Sequence, residues 1–395
     1  MEALLEEPAT AATFRSRVLI ADDQSEILEA LALLLRQEGF DVESANSPSA
    51  MIAALEAAKL PSARARFDLL LMDMNYTRST TSGREGLDLV SRIRALDETL
   101  PVVVMTAWGS IELAVEAMQK GVADFVLKPW DNARLVQILR AQIQLGRARR
   151  AERRVEEEEN TQAREIQQAL LPKKIPQVRG CEISAAWRPA RHVGGDYFDV
   201  TELSENRLAL CIADVMGKGV PAALLMSNLQ AAIKAIEPAE PRELCDRLNR
   251  LVFGLTGPGR LISLFYAVLE VERKTLAYSN AGQNAPILAR RDGSFLRLTD
   301  GGAPLGAVED WAFEQGKVTL AAGDRILLFT DGISEAQGSD GEEFGDDRLL
   351  ALVQENRALS AAQIQQKVQD AIGWSSGRKF HDDATLLVLA LDNER

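Results

Sequence analysis

Between residues 18 and 140, five short apolar runs (VLIA, FDVESA, LLLM, VVVMT and DFVL) alternate with stretches of helical periodicity. Each run has strand length, and the segments from residue 27, at 50–60, 87–96, 111–118 and 135–143 repeat apolar side chains at helical spacing. A strand that pairs in parallel with its predecessor needs a crossover, and a helix is the usual one. The alternation therefore predicts a five-stranded, doubly wound parallel sheet with helices on both faces.

In such a sheet, ligands bind beyond the carboxyl ends of the strands. The residues at those ends are polar and form one set. Asp22 and Asp23 follow VLIA, Asp73 follows LLLM, Thr106 closes VVVMT, and Lys128 follows DFVL. One acid after a strand is normally a turn or helix cap. Five matched residues on four strands are not explained that way. Three crowded carboxylates repel one another and favour a hard divalent cation such as Mg²⁺. A lysine and a threonine beside it offer donors to an anion. The combination suits phosphoryl transfer onto a carboxylate.

On these residues, positions 18–140 resemble a response-regulator receiver domain over its full length. The resemblance implies a flavodoxin-like α/β fold and a histidine kinase as phosphoryl donor. It makes Asp73 the phosphoacceptor, Asp22, Asp23 and Asp73 the Mg²⁺ ligands, Thr106 the switch hydroxyl and Lys128 the phosphate-pairing lysine. Phe125 stands at the family's switch-aromatic position, although a core role fits the sequence equally. The loop NYTRSTTSGRE after the acceptor departs from the family in its length and in lacking methionine-proline.

The stretch 141–171 changes character. It holds no proline and one glycine, and a basic block precedes Glu156–Glu159. It reads as one long helix continuing from the receiver's last, ended by Pro172 and Pro176. Ala141, Ala148 and Val155 fall seven apart, but Gln162 breaks the series. A solvated spacer and a dimeric coiled coil both remain open.

From residue 181 onward, strands are expected at 183–187, 208–213, 264–271, 276–279, 326–329 and 385–391. Helices are expected at 222–236, 242–253, 348–355 and 361–372. This mixed order predicts a layered α+β fold. Four acidic motifs lie beside these strands or in tight turns: GGDYFD (194–199), ADVMGKG (213–219), FTDGISEA (329–336) and HDDATLLV (381–388). Glycine lets backbone and carboxylates approach a common centre. Carboxylate ligands select Mg²⁺ or Mn²⁺ over zinc, and two histidines in the chain cannot build a His-rich site. Two such ions ~4 Å apart can activate water for in-line attack on a phosphate ester.

In this order and spacing, the motifs resemble the PPM (protein phosphatase 2C-like) family, in its bacterial sporulation and stress branch. Softer blocks support it: IQQALLP, VPAALLM, SNAGQNAPIL and GAPLGA. The resemblance implies a four-layer αββα sandwich acting as a metal-dependent serine/threonine phosphatase with two Mg²⁺ or Mn²⁺ ions. By position, Asp214 would bridge both metals, with the Val215 carbonyl holding one. Asp331 and Asp382 would bind the other, and Asp196 would sit in the surrounding shell. Asp383 is a nearby carboxylate without an assigned role. Met216 stands where many eukaryotic relatives carry a histidine, leaving the proton donor unassigned, and Gln283 replaces a histidine. Arg188 and Arg191 are candidates for pairing with substrate phosphate, set against an ordinary surface role.

The expected organisation is therefore a tail (1–16), a receiver (17–140), a helical linker (141–171) and a phosphatase (172–395). Phosphorylation of Asp73 would control hydrolysis of a phosphorylated anti-sigma-factor antagonist, with a homodimer through the linker helix as one route. The alternative is an adaptor whose phosphatase-like domain has lost its chemistry. The formal charge of −13 argues against broad nucleic-acid binding, and no basic helix-turn-helix follows the receiver. Three scattered cysteines, the lack of a membrane-length apolar run and an acidic N-terminus without signal-peptide features predict a cytoplasmic chain.

Overall fold

The computed structural model describes residues 15–60, 66–76, 84–107, 111–236, 239–256, 259–338, 341–374 and 380–392. Most of the expected N-terminal tail and of the loop after Asp73 lie outside them. The chain divides into two compact units, Met1–Glu157 and Glu158–Arg395.

The first unit runs β1 (Arg17–Ala21), α1 (Ser25–Gln37), β2 (Asp41–Ala45), α2 (Pro48–Ala57), β3 (Leu69–Asp73), α3 (Arg84–Leu96), β4 (Val102–Thr106), α4 (Ile111–Gln119), β5 (Asp124–Leu127) and α5 (Asn132–Leu170). The strands pair in parallel in the order β2-β1-β3-β4-β5. β3 and β4 are buried along their whole length, which is why they read as unbroken apolar runs. Alternate side chains feed two cores. Leu19, Leu70, Val102 and Val104 meet Met51, Leu55, Leu87 and Ile93 from α2 and α3. Val18, Ile20, Leu71 and Val103 meet Leu31, Leu35, Leu135 and Leu139 from α1 and α5. Ser47 caps α2 by accepting from the Ala50 amide, with Pro48 at the first helical position.

The second unit is an αββα sandwich. Its strands are β6 (Cys181–Arg188), β7 (Tyr197–Ser204), β8 (Arg207–Val215), β9 (Ile262–Glu270), β10 (Thr275–Ala281), β11 (Ile287–Ala289), β12 (Phe295–Arg297), β13 (Gly301–Gly302), β14 (Gly316–Thr319), β15 (Arg325–Phe329) and β16 (Ala384–Leu391). Its helices are α6 (Val220–Ala235), α7 (Pro241–Thr256), α8 (Asp331–Ser334), α9 (Gly345–Glu355) and α10 (Ala361–Ala371). One sheet has the order β13-β10-β9-β8-β7, with β14 also on β10; the other has the order β12-β11-β15-β16-β6. Ile326, Leu328, Leu387 and Leu389 face the first sheet across the central core. Their neighbours Leu327, Phe329, Leu386 and Val388 point the other way, onto Leu349 and Val353 of α9 and Ile364 and Val368 of α10. Helices α6 and α7 cover the outer side of β8, β9 and β10. This period-two division of β15 and β16 is what a strand buried on both faces requires.

The expected linker is part of α5, a single helix of 39 residues that starts at Asn132 and crosses the boundary between the units. The structure adds one long strand the sequence reading lacked: β7 begins inside GGDYFD. Among the described residues, no helix is long and apolar enough to cross a membrane.

Candidate functional site

In the first unit, the ends of β1, β3, β4 and β5 bring the expected residues to one edge of the sheet. Carboxylate oxygens of Asp22, Asp23 and Asp73 lie within 4.8 Å of one another. Asp22, Asp73 and Thr106 are buried. The Lys128 ammonium lies 2.7 Å from Asp22 Oδ2 and 3.2 Å from Asp73 Oδ1, and so ties two strand ends together. Burial raises the Asp73 pKa above the ordinary carboxylate value, while Lys128 opposes it; the negative charge of Asp22 adds to the rise. The Met74 amide donates to Asp73 Oδ1 (2.9 Å) and the Gln24 amide to Asp22 Oδ1 (3.0 Å), fixing both carboxylates. Oxygens so gathered suit a hard cation beside a carboxylate nucleophile. Phe125 is 40% exposed, so the core reading of that residue fails.

The second unit assembles its acids from four separate segments. Asp196 precedes β7, Asp214 is next to last in β8, Asp331 opens α8 after β15, and Asp382 and Asp383 precede β16. Their charges act on one another. Burial, then Asp331, Asp382 and Asp383, push the Asp214 pKa up to about 7. Burial, then Asp382, push Asp331 up to about 6. Asp196 is fully buried and raised well above the usual range by desolvation, then by Asp214. Such crowding is stable when a cation neutralises it. Asp196 Oδ1 and Asp331 Oδ1 are buried without a hydrogen-bond partner. An orphaned buried carboxylate oxygen is a poor hydrogen-bonding arrangement and a good ligand for a hard cation. The donor set therefore fits divalent metal. It is more open than the first unit's, where alone among the described residues three such oxygens come within 4.8 Å.

Two threonines that position this site were not singled out in the sequence, and Asp383 acquires a role there. The Thr330 hydroxyl donates to Asp196 Oδ2 (2.7 Å) and accepts from the Thr385 amide (2.9 Å); the Thr385 hydroxyl also donates to Asp196 Oδ2 (2.5 Å). Asp383 accepts from the Ala190 and Gly195 amides (2.7 and 2.6 Å), so it holds the GGD turn in place. Side chains are excluded at both glycines of that turn. A Cβ on Gly194 would lie 2.4 Å from Asp383 Oδ2, and one on Gly195 would lie 2.7 Å from the Val215 carbonyl oxygen. Lys218 pairs with Asp382 (2.7 Å) and is the ammonium within the acid cluster.

Gln283 joins the two sheets beneath the site. It accepts from the Ser263 hydroxyl and donates to the Phe329 carbonyl (3.2 Å), two residues before Asp331. Met216, at 60% exposure, offers no titratable group. Arg188 stacks 4.6 Å over the Phe380 ring and donates to the Trp374 carbonyl, which is a packing role.

Known proteins match both units. The response regulator receiver domain model covers residues 18–140, and the stage II sporulation protein E (SpoIIE) model covers residues 204–392. The phosphoserine phosphatase RsbU of Bacillus subtilis (strain 168) is 32% identical over 230 residues, which are 58% of this chain and 68% of that one. The response regulator protein PilR of Pseudomonas aeruginosa is 34% identical over 131 residues, 33% of this chain and 27% of its own. Among solved structures, the SiaA-PP2C domain of Pseudomonas aeruginosa shares the fold at 22% identity and a TM-score of 0.53, covering 61% of this chain and 99% of that one. Acids gathered at the edges of a PP2C-like sandwich, and a relative matched over two thirds of its length, lead to one conclusion: the chain belongs to the SpoIIE-type family of PPM serine/threonine phosphatases, and it carries a receiver domain ahead of the enzyme.

Proposed function

We propose that phosphorylation of Asp73 by a histidine kinase controls the phosphatase, and that the substrate is a phosphoserine or phosphothreonine on an anti-sigma-factor antagonist. The observation that carries the control is α5, one uninterrupted helix belonging to both units. A packed helix has few alternative positions, so a change at its start can bias its end. Pairing of two chains through α5 is one such change. Phosphoserine as the substrate group rests on the likeness to the phosphoserine phosphatase RsbU, and the antagonist on the resemblance to the sporulation and stress branch. The working divisions are a tail (1–16), a receiver (17–140), a linker (141–171) and a phosphatase (172–395).

In the receiver, Asp73 takes the phosphoryl group. Asp22 and Asp23 would hold Mg²⁺ with it, Lys128 would pair with the phosphoryl charge, and Thr106 and Phe125 would report the change. In the phosphatase, Asp214, the Val215 carbonyl, Asp331 and Asp382 would hold the ions, and Asp196, fixed by the Thr330 and Thr385 hydroxyls, would complete the surrounding shell. Divalent ions bound there supply charge neutralisation at the phosphoryl group and acidify water. The protein's own part is to fix the carboxylates so that little reorganisation accompanies the reaction.

The test compares phosphoserine hydrolysis by the full chain with and without beryllofluoride, a phosphoryl mimic. A changed rate in the wild type, absent in Asp73→Asn, supports the reading. Equal rates and equal oligomeric state in both sink it.

A further inference from the structure

We infer that Gln167 is a positioning residue through which α5 holds the loop bearing Asp196. Gln167 lies near the end of α5 and is 3% exposed, whereas its neighbours Glu165, Ile166 and Gln168 are exposed. A buried amide is costly unless both its ends are bonded. Here both are. Its Nε2 donates to the Gly194 carbonyl (2.6 Å), and its Oε1 accepts from the Gly194 amide (3.0 Å). A carboxamide presents a donor and an acceptor in one plane, the match a peptide group requires here. An ionised glutamate would lack the donor, and alanine would lack both.

Three successive residues of the loop are thus gripped by three different elements. Gly194 is held by Gln167, Gly195 by Asp383, and Asp196 by Thr330 and Thr385. The last two grips belong to the sandwich itself. The first belongs to a helix that begins at Asn132 in the other unit. Two bonds to one peptide tolerate little sliding or rotation of the helix, since hydrogen bonds weaken steeply away from their preferred geometry. The position of α5 is therefore imposed on the loop that carries Asp196, and with it on the fit of the acid cluster to metal. As a route for receiver control, this rests on the function proposed above.

The experiment uses the full chain as wild type, Gln167→Ala, Gln167→Glu and the exposed control Gln168→Ala. Two readouts are taken: the Mn²⁺ concentration for half-maximal hydrolysis of a phosphoserine peptide, and the Mn²⁺-induced rise in Tm. The Gln167 variants should need roughly 10-fold more Mn²⁺, the size expected when a partner orienting a metal site is lost. Their Mn²⁺-induced Tm rise should shrink, and Gln168→Ala should match wild type. Unchanged Mn²⁺ dependence in Gln167→Ala would overturn the inference, as would a lower metal-free Tm with the Mn²⁺ response intact. A wild type indifferent to beryllofluoride would overturn receiver control alone, and the Mn²⁺ readouts would still decide the role of Gln167.

Discussion

The two acidic sites of this chain are built on opposite plans. The receiver draws three carboxylates to within 4.8 Å and ties two of them with the Lys128 ammonium. All its parts come from adjacent parallel strands, so the site is compact and specified by neighbouring strand ends. The phosphatase takes its acids from four segments on two sheets. It leaves buried oxygens of Asp196 and Asp331 without partners and relies on threonines, a second aspartate and a glutamine to hold the loop bearing Asp196. The first plan suits one small ion beside a nucleophilic carboxylate. The second suits a wider cation site facing a macromolecular substrate, and its stiffness has to come from the surrounding residues.

The largest effect that could break this contrast is at Asp214. Asp214→Asn should reduce phosphoserine hydrolysis by roughly 10³-fold or more, with an unchanged far-ultraviolet circular dichroism spectrum. Substantial residual turnover would mean that the acids do not act as one site. Next comes Thr330→Val, which keeps the volume but removes the bond to Asp196. A shift of about 10-fold in Mn²⁺ requirement is expected, and an unchanged titration would reduce the threonine to a packing role.

The pH dependence sharpens the comparison. The folded-state pKa values of Asp214 (about 7) and Asp331 (about 6) are raised from 3.8. A carboxyl whose pKa is raised on folding stabilises the fold fully below its unfolded value and loses that contribution as pH climbs through the folded value. In chelator, Tm should therefore fall between pH 5 and about 7.5, and Asp214→Asn should flatten the slope. Added Mn²⁺ should restore more stability at the upper end, where the ionised acids need a counter-charge. A metal-free Tm that rises over this interval would contradict the crowding. The smallest effect is expected at Phe125→Ala, within about 0.5 kcal/mol of wild-type stability because the ring is largely outside the core. A larger loss in urea unfolding would return Phe125 to a packing role.

What could be read from the sequence follows the same contrast. The receiver was legible because its candidate site residues stand at the ends of apolar runs, and because alternation of strands and helices implies a parallel sheet; the order β2-β1-β3-β4-β5 does not follow from alternation alone. In the phosphatase, the aspartates were visible through their glycine neighbours. β7 was hidden because its outer half, TELS, is polar and its start looked like a turn motif. Thr330 and Thr385 acquire meaning only when β15 and β16 pair and bring their hydroxyls to Asp196, a contact between residues 134 and 189 positions apart from it. Gln167 belongs to IQQALLP, one of the blocks that carry the family likeness, but with polar neighbours on a helix open to spacer or coiled-coil readings nothing local marks its side chain as buried. The choice for Phe125 between switch and core could not be made from β5 alone, because the strand's alternation is compatible with either face.

The most direct test is isothermal titration of Mn²⁺ into the full chain and into Asp73→Asn and Asp214→Asn. In the unphosphorylated chain, two separate carboxylate sites predict that Asp73→Asn weakens chiefly the receiver component and Asp214→Asn chiefly the phosphatase component. If Asp214→Asn binds Mn²⁺ with the wild-type stoichiometry and affinity, the acids of the second unit do not form a shared cation site.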